Sequence, residues 1–235
     1  MSSLSISFPA YNEADTIGVA IEDAMHVASR LTGDFEVIVV DDGSADRTAD
    51  VVREFSARYP QVRLIEHPVN QGYGAAVYDG LVAGVKDWAF YTDSDLQFVM
   101  DDLERLWALR EQGDLIIGYR APRRDSFIRK LNGFGWTWLT NVLFGYVSRD
   151  VDCAFKLIRR EVVDAVAPRV ASRGATLSAE FLVRAKAQGF RFKEVPVTHR
   201  PRVAGSQTGA KLHVIVRAFR EMFLFRLQMW REQNH

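Results

Sequence analysis

Short apolar runs alternate with amphipathic segments along the first half of the chain, and this alternation constrains the fold more than any other feature. The apolar runs are rich in β-branched and aromatic residues, as in Phe35–Val40 and Ala89–Thr92. Strands separated by helices form a mostly parallel sheet, with right-handed crossovers and helices on both faces. We therefore predict an α/β fold with a Rossmann-like sheet flanked by helices.

The predicted strands are the short apolar runs Leu4–Phe8, Phe35–Val40, Val62–Glu66, Ala89–Thr92, Leu115–Gly118, Phe155–Ile158 and Phe192–Val197. Helical periodicity predicts helices over about 14–30, 46–58, 74–84, 100–112, 177–188 and 211–231. Residues 126–147 are rich in Phe, Trp, Leu and Gly and are assigned no element.

The length and composition predict one globular domain. A chain of 235 residues can bury one large core. The single cysteine, Cys153, excludes an intrachain disulfide framework, fits a reducing compartment and is expected to be a small buried side chain. No secretory signal and no apolar run of about 18 residues is visible, so a cytoplasmic location is expected.

Charge is distributed unevenly although the net charge is zero. Residues 1–104 hold 19 acidic and 6 basic side chains, and residues 105–235 hold 11 acidic and 24 basic ones. The imbalance favours an anionic ligand for the basic part, which could be a lipid phosphate, a membrane surface or nucleic acid. The alternative is two differently solvated surfaces.

Carboxylates follow two of the predicted strands. Asp93 and Asp95 come directly after Ala89–Thr92, and Asp42 follows Phe35–Val40. A buried carboxylate needs a partner, and Mg²⁺ or Mn²⁺ bound by one or two carboxylates keeps positions for water and phosphate. Asp42 can accept hydrogen bonds from a base or a ribose. Helix capping by Ser44 or Asp46 is expected in addition.

Four segments form a recognisable set: Pro9–Glu13, Val40–Ser44, Asn70–Gly74 and Asp93–Gln97. In their order and spacing they together resemble family 2 glycosyltransferases. The resemblance implies the GT-A fold over one domain, residues 1–235, with a nucleotide-sugar-binding half at 1–120 and an acceptor- or membrane-facing half at 121–235. It also implies a donor of the GDP-mannose or UDP-glucose type and a Mg²⁺ or Mn²⁺ ion held by the Asp-x-Asp motif.

Within that family the chain is most similar to polyprenyl-phosphate sugar synthases. The similarity extends to Ile116–Arg120, Asp150–Arg160 and Glu194–Gly205. It implies inverting transfer of a hexose to a dolichyl- or undecaprenyl-type phosphate at the cytosolic membrane face, with no nucleic-acid partner. The chain departs from the pattern at Ala154, where glycine is usual, and at Thr208, where lysine is usual.

The resemblance assigns a role to each matching residue. The nucleotide would be held by Pro9, Tyr11, Glu13, Val40, Asp42 and Ser94. The metal would be bound by Asp93, Asp95 and Gln97. Phosphate groups would be bound by Arg120, Arg129 and Arg202, which with the two aspartates form the predicted catalytic set.

Two other functions stay open at this point. A transferase acting on a hydroxyl acceptor would need a general base, for which Asp150, Asp152 and Glu180 are the candidates. A catalytically silent nucleotide-sugar-binding module is the other alternative, and the intact Asp-Ser-Asp-Leu-Gln motif argues against it. For His199 a structural role and a substrate contact are both open.

Two segments are typical of surfaces that contact membranes. Residues 211–231 place apolar side chains at helical spacing with arginines between them, and residues 126–147 contain Trp136 and Trp138. Basic and aromatic amphipathic helices lie in membrane interfaces. The alternatives are packing on the catalytic core, a homo-oligomer or a separate membrane-protein partner.

Overall fold

The computed structural model describes residues 2–121, 127–201 and 212–233. Within its helices, the side chains of 127–132, 212–218 and 233 are outside the description.

The described strands form one seven-stranded sheet. In chain order they are β1 Leu4–Ala10, β2 Phe35–Asp41, β3 Val62–Glu66, β4 Trp88–Thr92, β5 Leu115–Arg120, β6 Phe155–Arg159 and β7 Phe192–Val197. Their order across the sheet is β3-β2-β1-β4-β6-β5-β7. Among them, only β6 runs antiparallel to its neighbours, β4 and β5. The prediction of a mostly parallel sheet is confirmed.

The helices are α1 Ile17–Leu31, α2 Thr48–Arg58, α3 Tyr73–Ala83, α4 Leu103–Ala108, α5 Phe127–Phe144, α6 Arg160–Val166, α7 Leu177–Ala187 and α8 Leu212–Gln233. The predicted helical segment at 100–112 is confirmed in its extent, but only Leu103–Ala108 is α-helical, between the 3₁₀ turns Met100–Asp102 and Arg110–Gln112. Helices α5 and α6 were not predicted. Within the described part of the chain, no helix is long and apolar enough to cross a bilayer.

Both faces of the sheet are covered, so its central strands β1, β2 and β4 are buried along almost their whole length. On β4, Phe90 faces a core formed with α1 and α4, whereas Ala89 and Tyr91 face a core formed with α6, α7 and α8. This alternation is the ordinary period of two in a strand. Strands buried on both faces lack the polar positions of a half-exposed strand.

The strand register brings three chain segments to one edge of the sheet. Ala10 pairs with Asp41 across β1 and β2, and Ser7 pairs with Tyr91 across β1 and β4. These three strands are parallel, so the residues that follow them meet at their common carboxyl ends. Ligands bind at such edges in open α/β sheets.

Candidate active site

The Asp-Ser-Asp motif forms a tight turn directly after β4. Ser94 is buried, and its hydroxyl donates to the Pro9 carbonyl oxygen at 3.0 Å. Asp95 is also buried, and its Oδ1 accepts the Gln97 backbone N–H at 3.1 Å. Leu96 adopts the left-handed backbone conformation with φ +59°. The serine therefore fastens the end of β4 to the end of β1 and holds both aspartates at the sheet edge.

Tyr73, the first residue of α3, contacts the motif from the glycine-rich turn. Its hydroxyl donates to Asp93 Oδ1 at 2.8 Å, although 51% of the residue is exposed. Burial of the hydroxyl, together with the charge of Asp93, raises the pKa of Tyr73 well above its usual value. The phenol therefore stays a hydrogen-bond donor at neutral pH. Sequence reasoning identified the turn but not this side chain.

Asp42 holds the glycine-rich turn in place. Its two carboxylate oxygens accept the backbone N–H groups of Gln71 and Gly72, both at 2.8 Å. His67 Nδ1 lies 2.7 Å from Asp42 Oδ1, and His67 Nε2 lies 2.9 Å from Asp79 Oδ2. The Asp42 carboxylate, which was predicted to contact the nucleotide, is thus hydrogen-bonded to other residues of the protein. No sequence signal distinguished His67.

Glycine is required where these segments approach each other. Gly43 has φ +70°, and a Cβ there would lie 2.7 Å from the backbone nitrogen of Asn70. At Gly74 a Cβ would lie 2.3 Å from the carbonyl oxygen of Gly174. Any side chain at either position would displace backbone, so both glycines maintain the close packing around the turn.

The segment after β1 is joined to the segment after β2. Asn12 N donates to Ser44 Oγ, and Ala45 N donates to Asn12 Oδ1, both at 2.8 Å. Glu13 N donates to Thr48 Oγ1 at 2.9 Å. These bonds place Glu13 in a buried position and leave the Tyr11 ring exposed beside it.

Pro9 and Val40, which were also predicted to contact the nucleotide, pair with each other across β1 and β2. The Val40 side chain is fully buried.

Only one of the two expected capping residues contacts the start of α2. Asp46 accepts the Thr48 N–H there, whereas Ser44 bonds to Asp41 and Asn12.

Gln97 fastens the segment after β7 to the Asp-Ser-Asp motif. Its side-chain Nε2 donates to the Arg200 carbonyl at 3.1 Å, and the Arg200 N–H donates to the Gln97 carbonyl at 2.7 Å. His199 is buried with its ring 5.2 Å from that of Phe98, an arrangement typical of a structural histidine. Arg202, two residues beyond Arg200, lies outside the described residues, as does Thr208.

Arg120 forms a buried two-pronged ion pair. Its Nε and Nη2 donate to the two carboxylate oxygens of Asp150, each at 2.7 Å. Both side chains are less than a tenth exposed. The structure therefore gives the predicted phosphate ligand Arg120 a carboxylate partner within the protein. The side chain of Arg129 lies outside the described residues.

Two of the three candidate bases are held in ion pairs. Asp150 is bound by Arg120, and Glu180 accepts Arg184 Nε at 2.8 Å together with the N–H groups of Ala171 and Ser172. The third, Asp152, is exposed in the turn before Cys153. The oxygens of Asp150 and Glu180 are thus engaged by donors within the protein.

Lys156 supports that turn from the core. It is buried, and its ammonium donates to the carbonyl oxygens of Val151, at 3.0 Å, and Cys153. Burial lowers the pKa of Lys156, but neighbouring Tyr91 and Cys153 outweigh it, and the net shift is upward. Cys153 is fully buried as predicted, and burial raises the pKa of its thiol to about 12. The cysteine is therefore not a nucleophile at neutral pH.

The two carboxylates of the Asp-Ser-Asp motif fit a divalent ion whose other ligands come from water and a bound phosphate. Among the described residues, no group of three or more His, Cys, Asp and Glu side chains could enclose a metal. Asp93 and Asp95 provide two carboxylates at an open sheet edge. Mg²⁺ and Mn²⁺ commonly bind through one or two carboxylates and complete their shell with water and phosphate oxygens.

Comparison with known proteins identifies the family. Residues 5–167 match the family model described as glycosyl transferase family 2, and the chain belongs to that family. A dolichyl-phosphate beta-glucosyltransferase of Trichomonas vaginalis is 29% identical over 80% of this chain and 61% of its own length. An undecaprenyl-phosphate 4-deoxy-4-formamido-L-arabinose transferase of Pectobacterium carotovorum is 31% identical over 71% of this chain and 51% of its own. The chain thus spans about half to three fifths of these relatives.

Solved structures confirm the GT-A fold. Glucosyl-3-phosphoglycerate synthase from Mycobacterium tuberculosis, crystallised with Mn²⁺, uridine diphosphate and glucosyl-3-phosphoglycerate, has a TM-score of 0.74 to this chain. The match covers 96% of this chain and 80% of that one, at 20% identity. The same enzyme was also crystallised with Mg²⁺ and uridine diphosphate.

Proposed function

We propose that this chain transfers a hexose from a nucleotide-diphosphate sugar to a polyprenyl phosphate, with the metal bound at Asp93 and Asp95. The observation that carries the proposal is the Asp-Ser-Asp turn at the joint carboxyl edge of β1, β2 and β4. Both relatives described above are named for transfer to a polyprenyl phosphate, dolichyl in one and undecaprenyl in the other. The acceptor lipid would bring the chain to the cytosolic face of a membrane.

The donor would lie across this edge. The nucleoside would contact the exposed ring of Tyr11. It would also contact the segments around Glu13 and Asp42, which are hydrogen-bonded to each other. The diphosphate would extend toward Asp93 and Asp95. A bound Mg²⁺ or Mn²⁺ would neutralise charge on the departing nucleotide diphosphate.

The protein's own residues would keep these carboxylates in position for that task. Ser94 fixes the turn against Pro9, and Tyr73 orients the Asp93 carboxylate through its hydroxyl. Groups that are held in place before reaction stabilise developing charge without reorganisation. A metal contact of Gln97 would use its side-chain oxygen, since the amide nitrogen donates to the Arg200 carbonyl.

The state of the candidate bases supports a phosphate acceptor. A lipid phosphate is already anionic at neutral pH and can attack the anomeric carbon without a general base, with inversion. A hydroxyl acceptor would need a base, and two of the three candidates, Asp150 and Glu180, are held by arginines. Arg120, Arg129 and Arg202 would bind phosphate, with Arg120 held in position by its ion pair with Asp150.

Thermal unfolding with nucleotides tests the donor site. UDP or GDP should raise the melting temperature further when Mn²⁺ is present, because a ligand that binds the folded state stabilises it. Asp95→Asn should lose the Mn²⁺-dependent increment. An equal Mn²⁺-dependent increment in Asp95→Asn would refute metal binding at this motif, and no shift with any nucleotide diphosphate would refute the donor site.

A further inference from the structure

His67 is a buried histidine that directly follows β3 and has no part in the reaction described above. Its backbone N–H donates to the Asp41 carbonyl oxygen at 2.9 Å. Both ring nitrogens face carboxylates, Nδ1 that of Asp42 at 2.7 Å and Nε2 that of Asp79, on α3, at 2.9 Å. This one residue therefore joins the ends of β2 and β3 to α3.

The contact with His67 decides how the Asp42 carboxylate is presented. Oδ1 accepts the Gln71 N–H in addition to the histidine, whereas Oδ2 accepts the Gly72 N–H. In the part of the chain that the structure describes, His67 is the only side chain that bonds to this carboxylate, since the other two donors are backbone groups. A carboxylate oxygen has two lone pairs, so Oδ2 keeps one acceptor position for a base or a ribose.

The second contact of the ring fixes its orientation. Because an ionised carboxylate only accepts hydrogen bonds, Nδ1 donates to Asp42. A partner at the other ring nitrogen determines how a histidine is oriented toward the group it serves, and here that partner is Asp79. The glycine-rich turn held by Asp42 continues into Tyr73, whose hydroxyl donates to Asp93. The position of Asp42 therefore bears on both the nucleoside end and the metal end of the donor site.

We propose that His67 is a positioning residue for the donor nucleotide. It holds Asp42 in the orientation in which Oδ2 accepts a hydrogen bond from the nucleoside, and Asp79 holds the histidine. The inference rests on the proposed function for the nucleotide site and is independent of the acceptor. A histidine that only stabilised the fold would be served equally well by either of its two ring contacts.

Asparagine and glutamine at position 67 separate these two roles. The amide nitrogen of asparagine lies near the place of Nδ1 and that of glutamine near the place of Nε2, so His67→Asn keeps a donor for Asp42 and His67→Gln keeps one for Asp79. Calorimetric titration with UDP and with GDP, in the presence of Mn²⁺, measures the affinity. His67→Asn should bind like the wild type, and His67→Gln should bind about tenfold more weakly, because a hydrogen bond to a charged group is lost. The matched control His26→Gln, at an exposed position on α1, should bind like the wild type.

The wild type provides a second measurement that does not depend on the folding of a variant. In nuclear magnetic resonance of protein labelled at the histidine ring nitrogens, the His67 signals should shift when the nucleotide binds, because Asp42 gains a further donor, and the His26 signals should stay in place. Unchanged His67 signals at saturating nucleotide would overturn the proposal. Equal affinities of His67→Asn and His67→Gln, both folded by their melting temperatures, would also overturn it and assign a structural role.

Failure of the proposed function is recognised separately. A wild type that binds nucleotide with the expected difference between His67→Asn and His67→Gln, but transfers no sugar to a polyprenyl phosphate, would refute the proposed function and support the role of His67. A wild type that transfers sugar while the two variants bind nucleotide equally would do the reverse. Binding of neither nucleotide to the wild type would refute the donor site and the role of His67 together.

Discussion

Single side chains decide how the Asp-Ser-Asp turn presents its carboxylates. The aspartates follow an apolar strand and could be identified from the sequence, because the strand and its polar end are adjacent in the chain. Tyr73 and His67 could not, because their partners Asp93 and Asp42 are 20 and 25 residues away. Only the fold brings these pairs together, and neither residue type has a local pattern that indicates such a role.

Replacing Tyr73 by phenylalanine tests whether its hydroxyl positions Asp93. The loss of one hydrogen bond to a carboxylate should lower kcat/KM about tenfold, at the low end of the effect for charged groups because the residue is half exposed. The Mn²⁺ concentration for half-maximal activity should rise. Tyr59→Phe, which changes an exposed tyrosine at the C-terminal end of α2, is the control and should change neither quantity. Unchanged metal dependence in Tyr73→Phe would contradict the positioning role.

At the scale of elements, locally encoded features were predictable and packing-dependent ones were not. The seven strands followed from their apolar runs, within about two residues. Helix α5 was missed because its sequence is apolar on most sides, and it is stabilised by packing against α8 and the core. The pair of Arg120 and Asp150 joins the end of β5 to the turn before β6, a contact that only the folded sheet creates.

A double-mutant cycle tests that ion pair. Arg120→Ala and Asp150→Ala should each lower the free energy of unfolding by about 3 kcal/mol or more, because each leaves a buried charge without its partner. The double variant should cost clearly less than the sum of the two. Denaturant unfolding measures all three. Additive losses would mean that the two side chains act independently.

At the scale of the whole molecule, the carboxylate of Glu36 connects several elements at the edge of the sheet opposite the candidate site. Glu36 on β2 accepts Ser5 Oγ at 2.7 Å, the Val85 N–H at 2.8 Å and Arg63 Nη2 at 2.7 Å. Burial raises the pKa of Glu36, but the hydrogen bonds from Val85 and Ser5 and the charge of Arg63 outweigh it, and the net shift is downward. The residue thus links β1, β2, β3 and the segment after α3.

Acid should weaken this link in a defined direction. Because the pKa of Glu36 is lower in the folded state, its stabilisation is present above the unfolded-state pKa and is lost as the pH falls through the folded-state value. Glu36→Gln should cost about 2 kcal/mol at pH 7, and its difference from the wild type should shrink below pH about 4.5. Urea unfolding across this range measures it. The control Glu66→Gln, an exposed ion-pair residue, should have little effect, and a pH-independent cost of Glu36→Gln would contradict the assignment.

The transfer reaction itself tests the central claim most directly. Purified protein is incubated with Mn²⁺, a polyprenyl phosphate and radiolabelled UDP-glucose or GDP-mannose, and label is counted in the organic phase. One donor should carry label into the lipid, and EDTA, Asp93→Asn or Asp95→Asn should reduce the rate by about 100-fold or more, several kcal/mol of transition-state stabilisation. No label in the organic phase with either donor, or full transfer in EDTA, would contradict the proposed mechanism.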